Sequence, residues 1–350
     1  MSTANSLIYP LPCKHDYGIG IVGAGGIVNY AHLPAYRKAG LNIIGICDIN
    51  ENAVRNSAQK WEIPFSTTDY RELLKRNDIQ IIDIAIPNEG RVDIVKEAVA
   101  AGKHILIQKP FAHQIEQAEE MVRSASEHGV RLAVNQNARF APFYRKAKEI
   151  IDSGILGELY LMTHEMRINQ DEALAGTWFA KVPNFLLVDY EIHHLDLMRF
   201  WSGSTPERVY TSGTRMPGQH IQSDMTVLTT MEFASGLRAS LITVDTLQSN
   251  QAFWSFTVEG TKGSLYGRIS HDYTVFELDY YTKDNPGQWT RVTPPGRWFV
   301  DAFYGSMFEL MNAIQENREP SISGRDNLET LRLLHSMIRS TEKKMIVSVE

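Results

Sequence analysis

The chain has 350 residues, of which 43% are hydrophobic, and a net charge of −6 with both signs interspersed. This length favours two domains, because a single hydrophobic core stops growing well before this size. The composition excludes a disordered chain, and no basic arm or patch is present, so we expect no nucleic-acid partner.

Export and membrane signals are missing from the sequence. The first sixteen residues show no charged region followed by an apolar one, and the longest apolar runs are of strand length, short of the roughly twenty residues that span a bilayer. The two cysteines, Cys13 and Cys47, are far apart, which fits a reducing compartment. We therefore expect a cytoplasmic protein without a membrane partner.

Residues 16–137 alternate between strand and helix patterns, with glycines where the helices should stop. The strand patterns are continuous and β-branched, which is typical of strands covered on both faces. They predict a Rossmann-type, doubly wound parallel sheet for this domain. The strand runs are residues 19–22, 41–46, 79–86, 104–107 and 131–134.

Residues 138–350 have a different pattern, with a helix at 141–152 and then longer alternating segments that predict strands with one exposed face. We expect an α+β domain with a large, open, mostly antiparallel sheet for substrate binding and oligomerisation. Two late helices follow, which could also pack back on the first domain. The predicted strands are 158–164, 209–213, 225–233, 238–244, 253–258 and 345–349, and the late helices are 299–317 and 326–343.

A glycine-rich turn, Gly23-Ala24-Gly25-Gly26-Ile27, lies where the first strand should turn into a helix. Glycines there permit a tight turn and a close approach to a pyrophosphate, beside the positive end of the helix dipole. Asp48 ends the second strand, where a carboxylate can bind the adenosine ribose. The same carboxylate would repel a 2′-phosphate, so we predict NAD rather than NADP.

Lys109 follows a buried strand and precedes Pro110, at the carboxyl edge of the predicted sheet, where ligands of such sheets bind. A surface lysine in a loop is the simpler alternative. We expect Lys109 and its surroundings to contact the cofactor; the other predicted contacts at this edge are Ile86, Pro87, Asn88, Pro110 and Gln136.

Asp189 and His193 stand four residues apart, and helical spacing would place them on one face with Asp196. A pair of this kind can move a proton, with the carboxylate orienting the imidazole. Helix capping with a core histidine is the alternative, and a metal site is a further one, although no second ligand cluster completes it. We expect no metal.

These residues together resemble the glucose–fructose oxidoreductase/inositol dehydrogenase (Gfo/Idh/MocA) family over nearly the whole chain. The resemblance is carried by the glycine turn, by Pro87-Asn88, by Gln108-Lys109-Pro110 and by Asp189-x-x-x-His193. It implies NAD(P)-linked exchange of a hydride with a hydroxyl or carbonyl of a sugar, a sugar derivative or a cyclitol, in a homodimer or homotetramer.

The resemblance also implies site residues. Lys109 would contact nicotinamide and substrate, and His193 would be the general base beside Asp189. We add substrate contacts for Arg139, Trp178 and His194. Three positions depart from the family pattern: Gln108 replaces a glutamate, Arg91 a histidine and Glu191 a glycine.

Two other functions fit the same fold. A non-catalytic NAD-binding sensor would need the glycine turn but no acid/base pair, so the presence of Lys109, Asp189 and His193 argues against it. An NAD-dependent glycoside hydrolase, which uses the cofactor transiently, stays open. The sequence favours the dehydrogenase.

Overall fold

The computed structural model describes residues 7–270, 272 and 275–350. The chain forms two compact units. The first holds the described residues up to Ala141 together with Gly296–Leu331, and the second holds Pro142–Pro295 with Arg332–Glu350. Residues 16–137 thus lie in the first unit, and the late segment Gly296–Leu331 belongs to it as well.

The first unit contains a parallel sheet of six strands in the order β3-β2-β1-β4-β5-β6. This is the predicted doubly wound Rossmann topology, with the order reversing between β1 and β4. The strands are β1 (Ile19–Val22), β2 (Ile43–Cys47), β3 (Phe65–Thr67), β4 (Ile81–Ile84), β5 (His104–Ile107) and β6 (Leu132–Val134). Only β3 was missed, since this short edge strand lacks the continuous apolar run of its neighbours.

Helices connect these strands. A π-helical turn, Val28–His32, leads into the first of them. They are α1 (Leu33–Lys38), α2 (Glu51–Lys60), α3 (Tyr70–Leu74), α4 (Arg91–Ala100) and α5 (Ile115–Glu127). Gly102 and Gly129 follow α4 and α5 with positive φ, as the sequence indicated.

The second unit contains a sheet of nine strands in the order β14-β13-β12-β11-β7-β10-β9-β8-β15. All neighbouring pairs are antiparallel except β7 and β10, which are parallel. The strands are β7 (Leu159–Arg167), β8 (Arg208–Thr214), β9 (Thr226–Glu232), β10 (Arg238–Val244), β11 (Phe253–Gly260), β12 (Gly263–Ser270), β13 (Phe276–Thr282), β14 (Trp289–Arg291) and β15 (Val347–Ser348). The mostly antiparallel sheet was predicted, but β12 to β14 were not.

One face of this sheet is covered by helices, among them α6 (Pro142–Asp152), which contacts β13, and α8 (Ile192–Ser202), which packs on β7 and β10. The short helix α7 (Asp171–Leu174) lies in the same unit. The other face carries a mixture of polar and apolar side chains. Thr163 and Thr257 share a hydrogen bond of 2.7 Å, while Tyr210 and Leu228 are exposed.

The two late helices are α9 (Trp298–Gln315) and α10 (Gly324–Lys343). Most residues of α9 are buried, and the helix lies in the first unit, where Trp298 donates to the Asn137 side chain at 2.7 Å and Lys38 pairs with Asp301 at 2.6 Å. An apolar helix of this kind needs a core to cover it. Along the described chain, every helix is too short or too polar to cross a lipid bilayer.

Candidate functional site

The glycine turn after β1 has two glycines with different constraints. Gly23 has a φ of +117°, and a Cβ there would lie 2.4 Å from the carbonyl oxygen of Ala85, so no other residue fits. A Cβ on Gly25 or Gly26 would meet nothing within 4 Å. Gly23 is therefore needed for the turn itself, whereas Gly25 and Gly26 leave an open cradle.

A side chain that sequence reasoning missed holds this turn closed. The Asn29 amide donates to the carbonyls of Ala24 and Gly25 at 2.9 and 3.2 Å. It is held in turn by Ser57 and by the indole N–H of Trp61, both on the α2 side. The turn is thus anchored to the neighbouring β–α unit of the sheet.

Asp48 joins the turn to the end of β2. Its carboxylate accepts the backbone N–H of Ala24 at 2.7 Å and that of Asn50 at 2.9 Å. The side chain is half-buried and its neighbour Ile49 is exposed. A carboxylate has about four lone-pair positions, so two donors leave acceptor capacity for ribose hydroxyls.

Arg91 ties together the loops that follow β4 and β5. Its guanidinium donates to the carbonyls of Ile86, Gln108 and Pro110, and to the Asn88 side chain. Burial lowers the pKa of Arg91 to about 10, which leaves the group charged at neutral pH. This departure from the family pattern therefore builds the edge where Lys109 and the Ile86-Pro87-Asn88 loop lie.

Lys109 lies in this edge with its backbone held by buried groups. Its N–H donates to the side-chain oxygen of Gln108 at 2.8 Å, and Arg91 holds the carbonyls of Gln108 and Pro110 on either side. The side chain of Lys109 is half-buried. The first unit thus positions this lysine at the carboxyl end of β5, beside the loop after β4.

The residues after β6 offer polar atoms with nothing bound to them. Asn135 and Gln136 are fully buried, and neither side-chain amide finds a hydrogen-bond partner among the described residues. Buried amides normally have partners, because an unmet donor or acceptor costs about 1–3 kcal/mol. Together with the open glycine cradle and the half-buried Asp48, these amides fit a polar dinucleotide at this edge of the sheet.

Asp189 and His193 lie in the second unit, where the helix that was expected to carry them has two parts. Leu186–Glu191 is π-helical and α8 begins at Ile192. Both side chains are half-buried. Asp196 was expected on the same face as these two residues, but unlike them it is buried, and it lies 3.9 Å from the guanidinium of Arg199. The wider π turn changes the angular spacing that an α-helix would give.

Glu191, which stands between Asp189 and His193, is fully buried in the second unit. The Thr243 hydroxyl donates to its Oε1, and its Oε2 has no partner among the described residues. Burial raises the pKa of Glu191 to about 7, although the Thr243 bond opposes that rise. A second buried carboxyl, Asp245 on the same side of the sheet, has its pKa raised by burial to about 7.

The three residues expected to contact substrate have very different surroundings. Trp178 is 68% exposed and stacks on Phe179. By contrast, the Arg139 guanidinium is buried in the first unit, where it donates to the Ser321 carbonyl and to Asp326 at the start of α10. Arg139 is therefore a structural residue of the first unit, contrary to the expected substrate contact.

His194 is buried on the sheet side of α8, where its ring stacks on His164 at 3.8 Å between centroids. Burial lowers the pKa of His194 to about 3 and holds that of His164 well below its usual range, so both rings are neutral. The His164 ring also bonds the Tyr144 hydroxyl at 2.9 Å. His194 belongs to the core, contrary to the expected substrate contact.

No cluster of three or more His, Cys, Asp or Glu side chains suited to a metal occurs within residues 7–270, 272 and 275–350.

Comparison with known sequences places both units. Residues 17–136 match the oxidoreductase family with an NAD-binding Rossmann fold, and residues 144–266 match the Gfo/Idh/MocA C-terminal domain. The chain belongs to the Gfo/Idh/MocA oxidoreductase family. The predicted resemblance is thereby confirmed, and the Rossmann fold of this family member is of the NAD-binding kind.

Relatives within the family are similar over nearly their whole length. The uncharacterized oxidoreductase YrbE of Bacillus subtilis is 29% identical, covering 95% of this chain and 96% of its own. The D-apiose dehydrogenase of Paraburkholderia graminis is 27% identical, covering 93% and 88%. The myo-inositol 2-dehydrogenase of Thermotoga maritima is 24% identical, covering 95% and 98%. Sugar and inositol dehydrogenases are thus among its relatives, which supports an oxidoreductase.

A solved structure shares the fold. The oxidoreductase of Agrobacterium radiobacter, in complex with NAD+, L-tartaric acid and magnesium, gives a TM-score of 0.85 at 21% identity, covering 95% of this chain and 98% of that one. Both units of the chain therefore have the architecture of the family.

Proposed function

We propose that this protein is an NAD-dependent dehydrogenase that moves a hydride between nicotinamide and a hydroxyl or carbonyl carbon of a sugar, a sugar derivative or a cyclitol. The observation that carries the proposal is the place of Lys109, whose backbone is held by Gln108 and Arg91 at the ligand-binding edge of the Rossmann sheet. Its D-apiose and myo-inositol dehydrogenase relatives support the substrate class.

The cofactor would be held by the glycine cradle, by Asp48 and by the loops after β4, β5 and β6. The residues proposed for it are Gly23, Ala24, Gly25, Gly26, Ile27, Asp48, Ile86, Pro87, Asn88, Lys109, Pro110 and Gln136. When bound, nicotinamide supplies the hydride acceptor or donor. The protein supplies binding, orientation and the handling of the proton.

Three side chains would manage the proton and the charge of the substrate oxygen. A carbon gives up hydride only as its hydroxyl loses a proton. In the proposal the His193 imidazole takes that proton, and the Asp189 carboxylate orients the ring. The Lys109 ammonium stabilises the negative charge that develops on the oxygen. Trp178, with its exposed ring, is the remaining proposed substrate contact.

We further propose that NAD is preferred over NADP. Asp48 has free acceptor capacity for ribose hydroxyls, and its negative charge would repel a 2′-phosphate. The next residues, Ile49 and Asn50, bring no positive charge to that position. A cytoplasmic homodimer or homotetramer also stays a proposal, and light scattering after size-exclusion chromatography would decide the subunit count.

The test is turnover with a panel of substrates. The protein is incubated with NAD or NADP and with sugars, cyclitols and aryl glycosides. Net formation of NADH with a sugar or cyclitol supports the proposal. Release of the aglycone without net NADH would replace it with the glycoside hydrolase, and binding of NADH without either reaction would leave the sensor.

The three proposed catalytic side chains are then tested by substitution. Lys109→Met, Asp189→Asn and His193→Asn should each lower kcat by about 10²-fold or more while NADH binding persists. Lys96→Met is the matched control, because Lys96 is half-exposed on α4 and pairs with Glu120. Unchanged kcat in His193→Asn would refute its role as base.

A further inference from the structure

A buried chain of hydrogen bonds runs beneath Lys109 within the first unit. Asp83 of β4 accepts from His32 Nδ1 at 2.6 Å and from the Tyr36 hydroxyl at 2.7 Å. The other ring nitrogen of His32, Nε2, lies 3.0 Å from the side-chain nitrogen of Gln108. Gln108 Oε1 accepts the backbone N–H of Lys109 at 2.8 Å. Apart from Lys109, every member of the chain is buried.

The donor and acceptor roles in this chain of hydrogen bonds follow from the group at its Lys109 end. A backbone N–H can only donate, so the Gln108 atom that faces it must be the carbonyl oxygen. The Gln108 NH2 group then faces His32 and can only donate, so His32 Nε2 must carry no proton. The ring proton is therefore on Nδ1, where Asp83 accepts it.

The groups that face the His32 ring come from several elements of the first unit. Those that face it are Asp83, Tyr36 of its own helix, Gln108 and the ring of Phe303 of α9. Burial and the nearby Asp83 hold the pKa of Tyr36 well above its usual range, so the phenol keeps its proton and donates it.

We propose that Gln108 is a positioning residue for Lys109, and that it holds Lys109 only while His32 is neutral with its proton on Nδ1. This inference rests on the proposed role of Lys109. Gln108 fixes the N–H of Lys109, and Arg91 fixes the carbonyls before and after it. A reacting group must be held within a fraction of an ångström. These three hydrogen-bonded backbone groups fix the main chain from which the Lys109 side chain extends.

A carboxylate at position 108 would change the hydrogen bonds that this residue can make. It could still accept the Lys109 N–H, but it has no proton to donate to His32 Nε2. The contact with His32 would then form only when a further proton is bound between the two side chains. At high pH the lone pair of His32 Nε2 would face the new carboxylate. The repulsion between them would push away the side chain that holds Lys109.

The experiment compares Gln108→Glu with Gln80→Glu. Gln80 makes the same kind of bridge in the same unit, accepting from Gly18 N–H and donating to the Asn77 carbonyl, each at 2.8 Å, but it precedes β4 at the opposite edge of the sheet. For each variant, kcat and the KM for NAD are measured from about pH 6 to about pH 9, relative to wild type at the same pH.

We expect the kcat ratio of Gln108→Glu to wild type to fall about tenfold or more as pH rises, with the KM for NAD within about twofold of wild type. The ratio for Gln80→Glu should not change with pH. A flat ratio for a folded Gln108→Glu that binds NADH would overturn the proposal, because a merely structural role would not depend on pH.

The tautomer of His32 is measured separately by nitrogen NMR of wild-type protein with labelled histidine, the signal being assigned by its loss in His32→Gln. A bare Nε2 and a protonated Nδ1 are expected, and a proton on Nε2 overturns the proposal even if Gln108→Glu does not fold. If wild-type protein turns over no substrate, the proposed function fails, while the NMR result still decides the hydrogen-bond chain.

Discussion

The Asp48 carboxylate accepts the backbone N–H of Ala24 at 2.7 Å, so the residue proposed to bind ribose also holds the glycine turn. Its second oxygen accepts the N–H of Asn50. The carboxyl end of β2 and the turn after β1 are therefore one structure. A substitution at Asp48 acts on both the turn and the choice of cofactor.

Replacing Asp48 by Asn should weaken the preference for NAD. The variant loses the negative charge and one of the two backbone hydrogen bonds, because an amide has one acceptor oxygen. We expect the ratio of kcat/KM for NAD to that for NADP to fall about tenfold or more. Glu51→Gln is the control, since Glu51 is an exposed acid three residues away that pairs with Arg55. An unchanged ratio in a folded Asp48→Asn would exclude the proposed use of Asp48.

Alanine substitutions at Gly23 and Gly25 should separate folding from cofactor binding. Gly23→Ala places a Cβ against the Ala85 carbonyl at a positive φ, so the variant should be strongly destabilised. Gly25→Ala meets nothing in the protein, so its thermal midpoint should stay within about 2 °C of wild type.

If the open cradle holds the pyrophosphate, Gly25→Ala should still raise the Kd for NADH about tenfold or more, as measured by fluorescence titration. Wild-type affinity in Gly25→Ala would mean that the cofactor does not approach this glycine. Because the substitution leaves the fold intact, loss of binding could not be attributed to unfolding.

Arg91→Lys should destabilise the first unit. The lysine ammonium cannot reach the carbonyls of Ile86, Gln108 and Pro110 together. The carbonyls that lose their donor would stay buried without a hydrogen bond. We expect a loss of about 3–5 kcal/mol in the free energy of unfolding, measured in urea, and a lower kcat. The exposed Arg55→Lys should change stability by less than about 0.5 kcal/mol. Equal effects in the two variants would show that Arg91 does not tie the loops.

Glu191 should make stability fall as pH rises. Its pKa is about 7 in the folded protein against 4.5 for an ordinary glutamate, so the unfolded chain loses the proton first. The contribution is fully present below about pH 4.5 and is lost as pH rises through about 7, for a total of about 3 kcal/mol. Asp245, whose pKa is also raised to about 7, acts in the same direction.

Glu191→Gln cannot titrate, so the fall in thermal midpoint between about pH 5 and about pH 8 should be roughly halved, with Asp245 accounting for the rest. Glu207→Gln, at an exposed position, should keep the wild-type slope. A wild-type slope in Glu191→Gln would show that the buried carboxyl keeps its charge at neutral pH.

The regular elements could be predicted where their patterns were strong. Strands β1 and β5 are found at their predicted bounds, because continuous apolar runs mark them locally. The helices α4 and α5 are followed by glycines with positive φ, as expected where helices stop. The strands β12 to β14 were missed. In the second sheet, the parallel pairing of β7 with β10 joins segments about seventy residues apart.

The site residues also differ in how much the sequence could predict about them. Asp48 and Lys109 could be placed at the sheet edge because strand ends are visible in the sequence. The partners of Arg91 and Gln108 could not, because their hydrogen bonds join separate β–α units. The structural roles of Arg139 and His194 were hidden for the same reason, since Asp326 and His164 are far away in the chain.

The sequence by itself determined the Rossmann topology, the position of the glycine turn and the candidate residues for proton transfer, because these depend on local periodicity and on the chemical nature of side chains. Only the tertiary structure decided which polar groups are buried and what they bond to. Burial depends on packing between distant segments, and it gives Gln108, Arg91 and Glu191 surroundings that no local pattern indicates.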